Sequence, residues 1–143
     1  MLIKQISVFM ENVPGKLGEV TEVLSSNNID MSALSLADTT DFGILRLIVN
    51  DPDKACQVLR EHDFIVKQSD VLAAVIDDRP GGLSSILKIL SNAGVGVEYM
   101  YAFVGNKDGH AVVVMRADNA DAAMKALESN NVSTLDPKDI YRL

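Results

Sequence analysis

The residues best placed to do chemistry in this sequence lie in two short segments, Asn12-Val13-Pro14-Gly15-Lys16-Leu17 and Asp78-Arg79-Pro80-Gly81-Gly82-Leu83. In each, a polar side chain stands two residues before a proline, and a glycine follows. A helix that begins at such a proline presents unpaired backbone N–H groups and a partial positive charge, a seat for a carboxylate. Gly15 and Gly81 carry no Cβ, so a ligand can approach the backbone closely. Asn12 and Asp78 offer oxygen acceptors to an ammonium group. Each segment therefore offers partners to both ends of an α-amino acid. The same residues also suit a purely structural role, with Asn12 and Asp78 as helix caps, the prolines fixing the entry angle and the glycines permitting tight strand-to-helix packing.

Little else suits catalysis. The chain has two histidines, one cysteine and no tryptophan. His62 falls at the end of a predicted helix, where a partly positive imidazole complements the helix dipole. His110 falls in an Asp108-Gly109-His110 turn and reads as solvated. Cys56 lies beside the apolar stripe of a helix and reads as a small buried thiol. A single cysteine permits no internal disulfide, which fits a reducing compartment. Neither a Cys-x-x-Cys nor a paired-histidine spacing occurs, so neither a metal nor a cofactor is expected. Tyr99, Tyr101 and Phe103 alternate along one strand face; such a row can line a pocket but more often packs a core or an interface.

The two segments are parts of a longer repeat. At a shift of 66 residues Pro14, Gly15, Leu17, Leu24 and Ser25 meet Pro80, Gly81, Leu83, Leu90 and Ser91, while Val20, Val23 and Ile29 meet Ile86, Ile89 and Val95. A period of this length in a chain of 143 residues means two copies of one small unit, expected over residues 1–70 and 71–143. The first copy reads as a strand with Ile6, Val8 and Met10 on one face, then a helix beginning at Pro14 with Leu17, Val20, Val23 and Leu24 as its stripe. A hairpin of Ile29 to Ala37 and Ile44 to Val49 follows, then a helix capped at Asp51-Pro52 and a short strand Phe64-Ile65-Val66. The second copy repeats the order: strand Leu72 to Ile76, helix Leu83 to Ala93, strands Val95 to Val104 and Ala111 to Met115, a helix capped near Asp118, and a weak strand Val132 to Leu135. Turns are expected at Asp38 to Asp41 and Gly105 to Gly109, and a short helical turn in the tail Pro137 to Leu143. Each half is β-α-β-β-α-β, so the expected fold class is α+β: two ferredoxin-like sandwiches in tandem, with antiparallel sheets and helices on one face. Only Gln68 to Val71 joins the halves.

Composition narrows the partners. A hydrophobic content of 48% suffices for a packed core, and a formal net charge of −7 repels nucleic-acid backbones and anionic lipid surfaces. The start, Met1-Leu2-Ile3-Lys4-Gln5, has no basic segment followed by an apolar one, and no apolar run approaches membrane-spanning length. A cytoplasmic protein with no nucleic-acid or membrane partner is expected.

Asn-Val-Pro-Gly-Lys-Leu-Gly and Asp-Arg-Pro-Gly-Gly-Leu-Ser, each between the first strand and first helix of such a unit, resemble the opening of the ACT domain. The Asn-Asn-Ile-Asp-Met and Ala-Gly-Val-Gly-Val starts of strand two continue the likeness, which covers nearly the whole chain as a tandem ACT pair with no attached catalytic domain. The resemblance implies regulation by a small molecule, usually an amino acid, held where two ACT units pair: the strand-one to helix-one loop of one unit contacts it together with strand two of a neighbour. By position it implies Asn12, Val13, Gly15, Lys16 and Leu17 in one loop and Asp78, Arg79, Gly81, Gly82 and Leu83 in the other, with Asp30, Met31 and Ser32, and Gly96, Val97 and Glu98, from strand two. In serine-sensing members a histidine stands two residues before the loop asparagine; here Met10 and Ile76 stand there, and Asp30 and Gly96 replace the strand-two asparagine. The expected sites are therefore unequal, with Arg79 as an extra partner for a carboxylate.

The leading expectation is a non-catalytic amino-acid-binding module, a homodimer that tunes a metabolic enzyme. An assembly module without ligand is the second reading. A small acylphosphatase-like enzyme with Arg79 at the phosphate is the third.

Overall fold

The computed structural model describes residues 1–38, 41–104 and 108–140. The chain folds as two compact units, one of residues 4–69 and one of residues 1–3 with the described residues from 70 onward.

Residues 4–69 hold β1 (Ile3–Glu11), which starts one residue earlier, then α1 (Lys16–Ser26), β2 (Met31–Asp38), β3 (Phe42–Val49), α2 (Pro52–Glu61) and the first part of β4 (Ile65–Asp77). β3 lies between β2 and β1, antiparallel to both, with Ile6 opposite Leu47 and Glu11 opposite Phe42. The period-two pattern of β1 does what its residues dictate: Ile6, Val8 and Met10 join Leu45, Leu47 and Val49 beneath Val20 and Leu24 of α1 and Ala55, Cys56 and Leu59 of α2. Asp51 caps α2, accepting from the Lys54 N–H at 3.1 Å, and Pro52 takes the first helical position.

The second unit continues β4 and adds α3 (Gly82–Asn92), β5 (Val97–Ala102), β6 (His110–Ala117), α4 (Ala120–Ser129) and α5 (Pro137–Ile140). β6 pairs antiparallel with β4 and β5, and Leu72, Ala74, Val113 and Met115 pack under Ile86 and Leu90 of α3 and Ala123, Met124 and Leu127 of α4. The weak last strand is reduced to a bridge between Ala74 and Thr134, flanked by bonds from Val75 N to Ser133 O and from Leu135 N to Ala73 O, both 2.9 Å. The fold is α+β, two ferredoxin-like units in tandem with helices on one sheet face.

Several local expectations change. Gln68 to Val71 is not a connector, because Ile65–Asp77 is one unbroken strand of 13 residues. Pro14 and Pro80 do not open helices: the N-caps are Gly15 and Gly81, so each proline sits one residue before the cap. Leu17 is 39% exposed and outside the core, since α1 buries only Val20 and Leu24. Asn119, not Asp118, caps α4, accepting from the Ala122 N–H at 3.1 Å. Residues 39 and 40 of the first expected turn, 105–107 of the second and 141–143 of the tail lie outside the described residues.

Candidate functional site

The two strand-to-helix loops share one backbone design. Gly15 and Gly81 both have φ 90°, with ψ −17° and −10°, a left-handed conformation that glycine adopts without penalty. In the first loop Val13 N donates to Glu11 O at 2.9 Å and Glu19 N to Gly15 O at 3.0 Å; in the second Arg79 N donates to Asp77 O at 2.9 Å and Ser85 N to Gly81 O at 3.0 Å. Asn12 N reaches Asp41 O and Asp78 N reaches Gly109 O, each at 2.9 Å, so both loops are tied to the neighbouring hairpin.

The N-cap residue of each helix is a glycine with no side-chain cap of its own, and Asn12 does not take the capping role expected of it. Asn12 Nδ2 instead donates to Asp38 Oδ2 at 3.4 Å. A Cβ built on Gly15 or Gly81 meets nothing within 4 Å. Each helix N-terminus thus opens at its glycine onto accessible space, where a carboxylate is favoured. Gly82 is constrained differently, since a Cβ there would collide with the Asp77 carbonyl oxygen. Lys16, its counterpart, instead pairs with Glu19 at 3.5 Å. Val13 and Leu17 are exposed apolar residues beside the first loop.

Beside the second loop the structure gathers charge that sequence patterns did not reveal. Asp77, the last residue of β4, lies 3.4 Å from Arg79 Nε and 3.6 Å from His110 Nε2. His110, expected in a solvated turn, opens β6 directly opposite Asp77. These residues border a cavity of about 380 Å³ between β4, α3 and the segment following α4, lined also by Gly82, Ser85, Ile86, Ile89 and Asn130 to Ser133. Its size is at the lower end of the roughly 300–1,000 Å³ typical of small-molecule sites. The signal available beforehand was register: antiparallel pairing of the strands that include Ile76 and Ala111 sets Asp77 against His110.

The strand-two residues form a second constellation. Both strands begin with a register shift, between Met31 and Ala33 in β2 and between Val97 and Tyr99 in β5. Ser32 and Glu98 are therefore the extra residues of β-bulges, features common beside functional sites. Asp30 N donates to Asn50 Oδ1 at 3.0 Å, and Gly96 N to Asp118 Oδ1 at 3.0 Å, so Asp118 clamps strand two rather than a helix. Glu98 pairs with Arg116 at 3.2 Å. Tyr99 and Tyr101 are half-buried on β5.

Within one unit the loop and the start of strand two do not meet. Met31 pairs with Val49, at the opposite end of β3 from the Phe42 that pairs with Glu11 beside the first loop. Val97 pairs with Ala117, at the opposite end of β6 from the His110 that pairs with Asp77. Each separation is roughly 23 Å along a strand.

Cys56 is buried, with Gln68 Nε2 3.5 Å from its sulfur, and His62 ends α2 with Nδ1 2.8 Å from Val58 O. Among the described residues there is no cluster of three metal-ligating side chains, and no helix is long and apolar enough to cross a membrane.

Against known proteins, a family model described as an ACT domain pair matches residues 1–143. Protein BT0572 from Bacteroides thetaiotaomicron is similar in structure, with 44% identity and a TM-score of 0.94 over 100% of this chain and 98% of that one. The regulatory subunit of aspartate kinase from Thermus thermophilus, in a ligand-free form, has the same fold at 14% identity and a TM-score of 0.64, over 88% of this chain and 91% of that one. The corresponding subunit from Thermus flavus gives 15% identity and 0.61, over 90% and 94%. No curated protein gives a match.

Proposed function

This chain belongs to the ACT domain pair family, and on that premise we propose that it is a non-catalytic regulatory module that binds an amino acid at its strand-to-helix loops. One ACT unit occupies residues 1–70 and the other 71–143. The observation that carries this reading is the duplicated loop, in which a left-handed glycine caps a helix without a side chain and faces open space in both copies. A helix N-terminus suits a carboxylate, and Asn12, Asp77 and Asp78 supply oxygen acceptors for an ammonium group. Because the start of strand two lies about 23 Å from the loop of its own unit, the strand-two contacts with Asp30 to Ser32 and Val97 to Glu98 come from another ACT unit, which this reading places on a second copy of the chain. The active form is then a cytoplasmic homodimer, and ligand acts on an enzyme of amino-acid metabolism by favouring one of its arrangements.

Thermal melting with each of the twenty L-amino acids at millimolar concentration tests the reading. A rise with one or a few supports it, and twenty flat profiles contradict it. The exposed edge of β2, where Leu34 and Leu36 are 46% and 50% exposed, favours a second reading in which the module only assembles. Sedimentation that is identical with and without amino acids, together with flat melting, selects that one.

A further inference from the structure

The two halves share a backbone and differ in what their side chains do to the space beside each loop. α2 and α4 end alike: His62 N, Asp63 N and Phe64 N bond to Leu59 O, Arg60 O and Leu59 O, as Asn130 N, Asn131 N and Val132 N bond to Leu127 O, Glu128 O and Leu127 O. Asp63 and Asn131 both have positive φ, 65° and 59°. Phe64 is therefore the counterpart of Val132, as Lys16 is of Gly82 and Glu19 of Ser85.

In residues 4–69 the Phe64 ring packs against the core with Lys16 Nζ 6.0 Å from its centroid, and Lys16 is paired to Glu19. The cavity there, about 350 Å³, stops short of the loop and has Glu19 and Glu22 in its wall. In the second unit valine replaces the ring, glycine the lysine and serine the glutamate. The space stays open as far as Arg79, Asp77 and His110. The loss of side-chain volume and the change of charge fall together at the same end of α3.

We propose that, of the two loops, the second alone takes the ligand: the cavity beside it holds an α-amino acid with its carboxylate on the Arg79 guanidinium and its ammonium group toward Asp77, while the open first loop in residues 4–69 takes none. This rests on the amino-acid reading given above. Arg79 bonds Asp77 through Nε, which leaves its terminal nitrogens in fork geometry for a second carboxylate. Ile86, Ile89 and Val132 form the apolar part of the wall, with Ser133 and Asn131 beside them. The acidic wall of the first-unit cavity repels a carboxylate.

The test uses the full chain and calorimetric titration of whichever L-amino acid raises the melting temperature, beside its carboxamide. Val132→Phe places the first unit's ring in the second unit's cavity, and Arg79→Gln removes the carboxylate partner at an exposed position. Both should weaken binding by about tenfold or more, Phe64→Val should leave it unchanged, and the carboxamide should not bind. Circular dichroism and urea midpoints check folding; should Val132→Phe misfold, Arg79→Gln decides. Binding that survives both substitutions overturns the assignment to this cavity while leaving the amino-acid reading intact. A wild-type protein that binds none of the twenty overturns both.

Discussion

Gly81 and Gly82 are adjacent, yet the structure constrains them for different reasons. Gly81 sits in open space at φ 90°, so Gly81→Ala meets only the left-handed backbone penalty of about 1–2 kcal/mol. Gly82 faces the Asp77 carbonyl, and a methyl group there must displace backbone, so Gly82→Ala should cost more, about 2–3 kcal/mol or above. Gly15→Ala should resemble Gly81→Ala. Urea unfolding midpoints of the three variants check the order, and a Gly82→Ala midpoint at or above that of Gly81→Ala would contradict the loop geometry. The caps separate in the same way. Asp51→Ala and Asn119→Ala should each lose about 1 kcal/mol, because both side chains accept a helical N–H. Asn12→Ala, which removes no cap, should lose less than about 0.5 kcal/mol. If Asn12→Ala destabilises as strongly as Asp51→Ala, Asn12 holds its loop rather than leaving it open for a ligand.

Element by element, the buried stripes decide stability. Leu24 and Leu90 are 0% and 1% exposed, and truncation of either to alanine should cost about 2–5 kcal/mol. Leu17→Ala should cost well under that, since Leu17 is largely outside the core. The order of strands and helices was legible in the sequence because periodicity survives duplication: Ile6-Val8-Met10 and Val20-Leu24 announce a strand and a helix wherever they occur. What escaped was set by single backbone angles and by register. Pro14 and Pro80 looked like first helical residues, but the left-handed glycine after each moves the helix start onward. Asp118 looked like a cap, and its carboxylate bonds Gly96 N across 22 positions, a contact no local pattern encodes. The bulges at Ser32 and Glu98 are likewise invisible in the sequence, which marks the strands but not their pairing. Polar residues 67–70 concealed the continuity of β4, since Lys67, Gln68, Ser69 and Asp70 suggest a connector. An extended strand resists proteases that require local unfolding, so trypsin should not cut native protein after Lys67. Rapid cleavage there into two halves would restore the connector.

At the scale of the whole molecule, duplication has supplied two loops of one backbone design and let their side chains diverge. The likeness of Gly15 to Gly81 was readable from spacing alone, and so was the presence of Arg79 in one loop only. The cavity was not, because it depends on Phe64 aligning with Val132 at a shift of 68 residues rather than 66, an offset seen only when the ends of α2 and α4 are superposed. The formal charge of −7 makes the local pairing of Arg79 with Asp77 more distinctive, since cations are in the minority over the chain. The central claim, that the module responds to an amino acid, is tested most directly by melting the full chain with each of the twenty L-amino acids in turn. One or a few should stabilise it, by about 2.7 kcal/mol at a hundredfold excess over Kd, which raises Tm by several degrees; a Tm unmoved by all twenty would contradict the account.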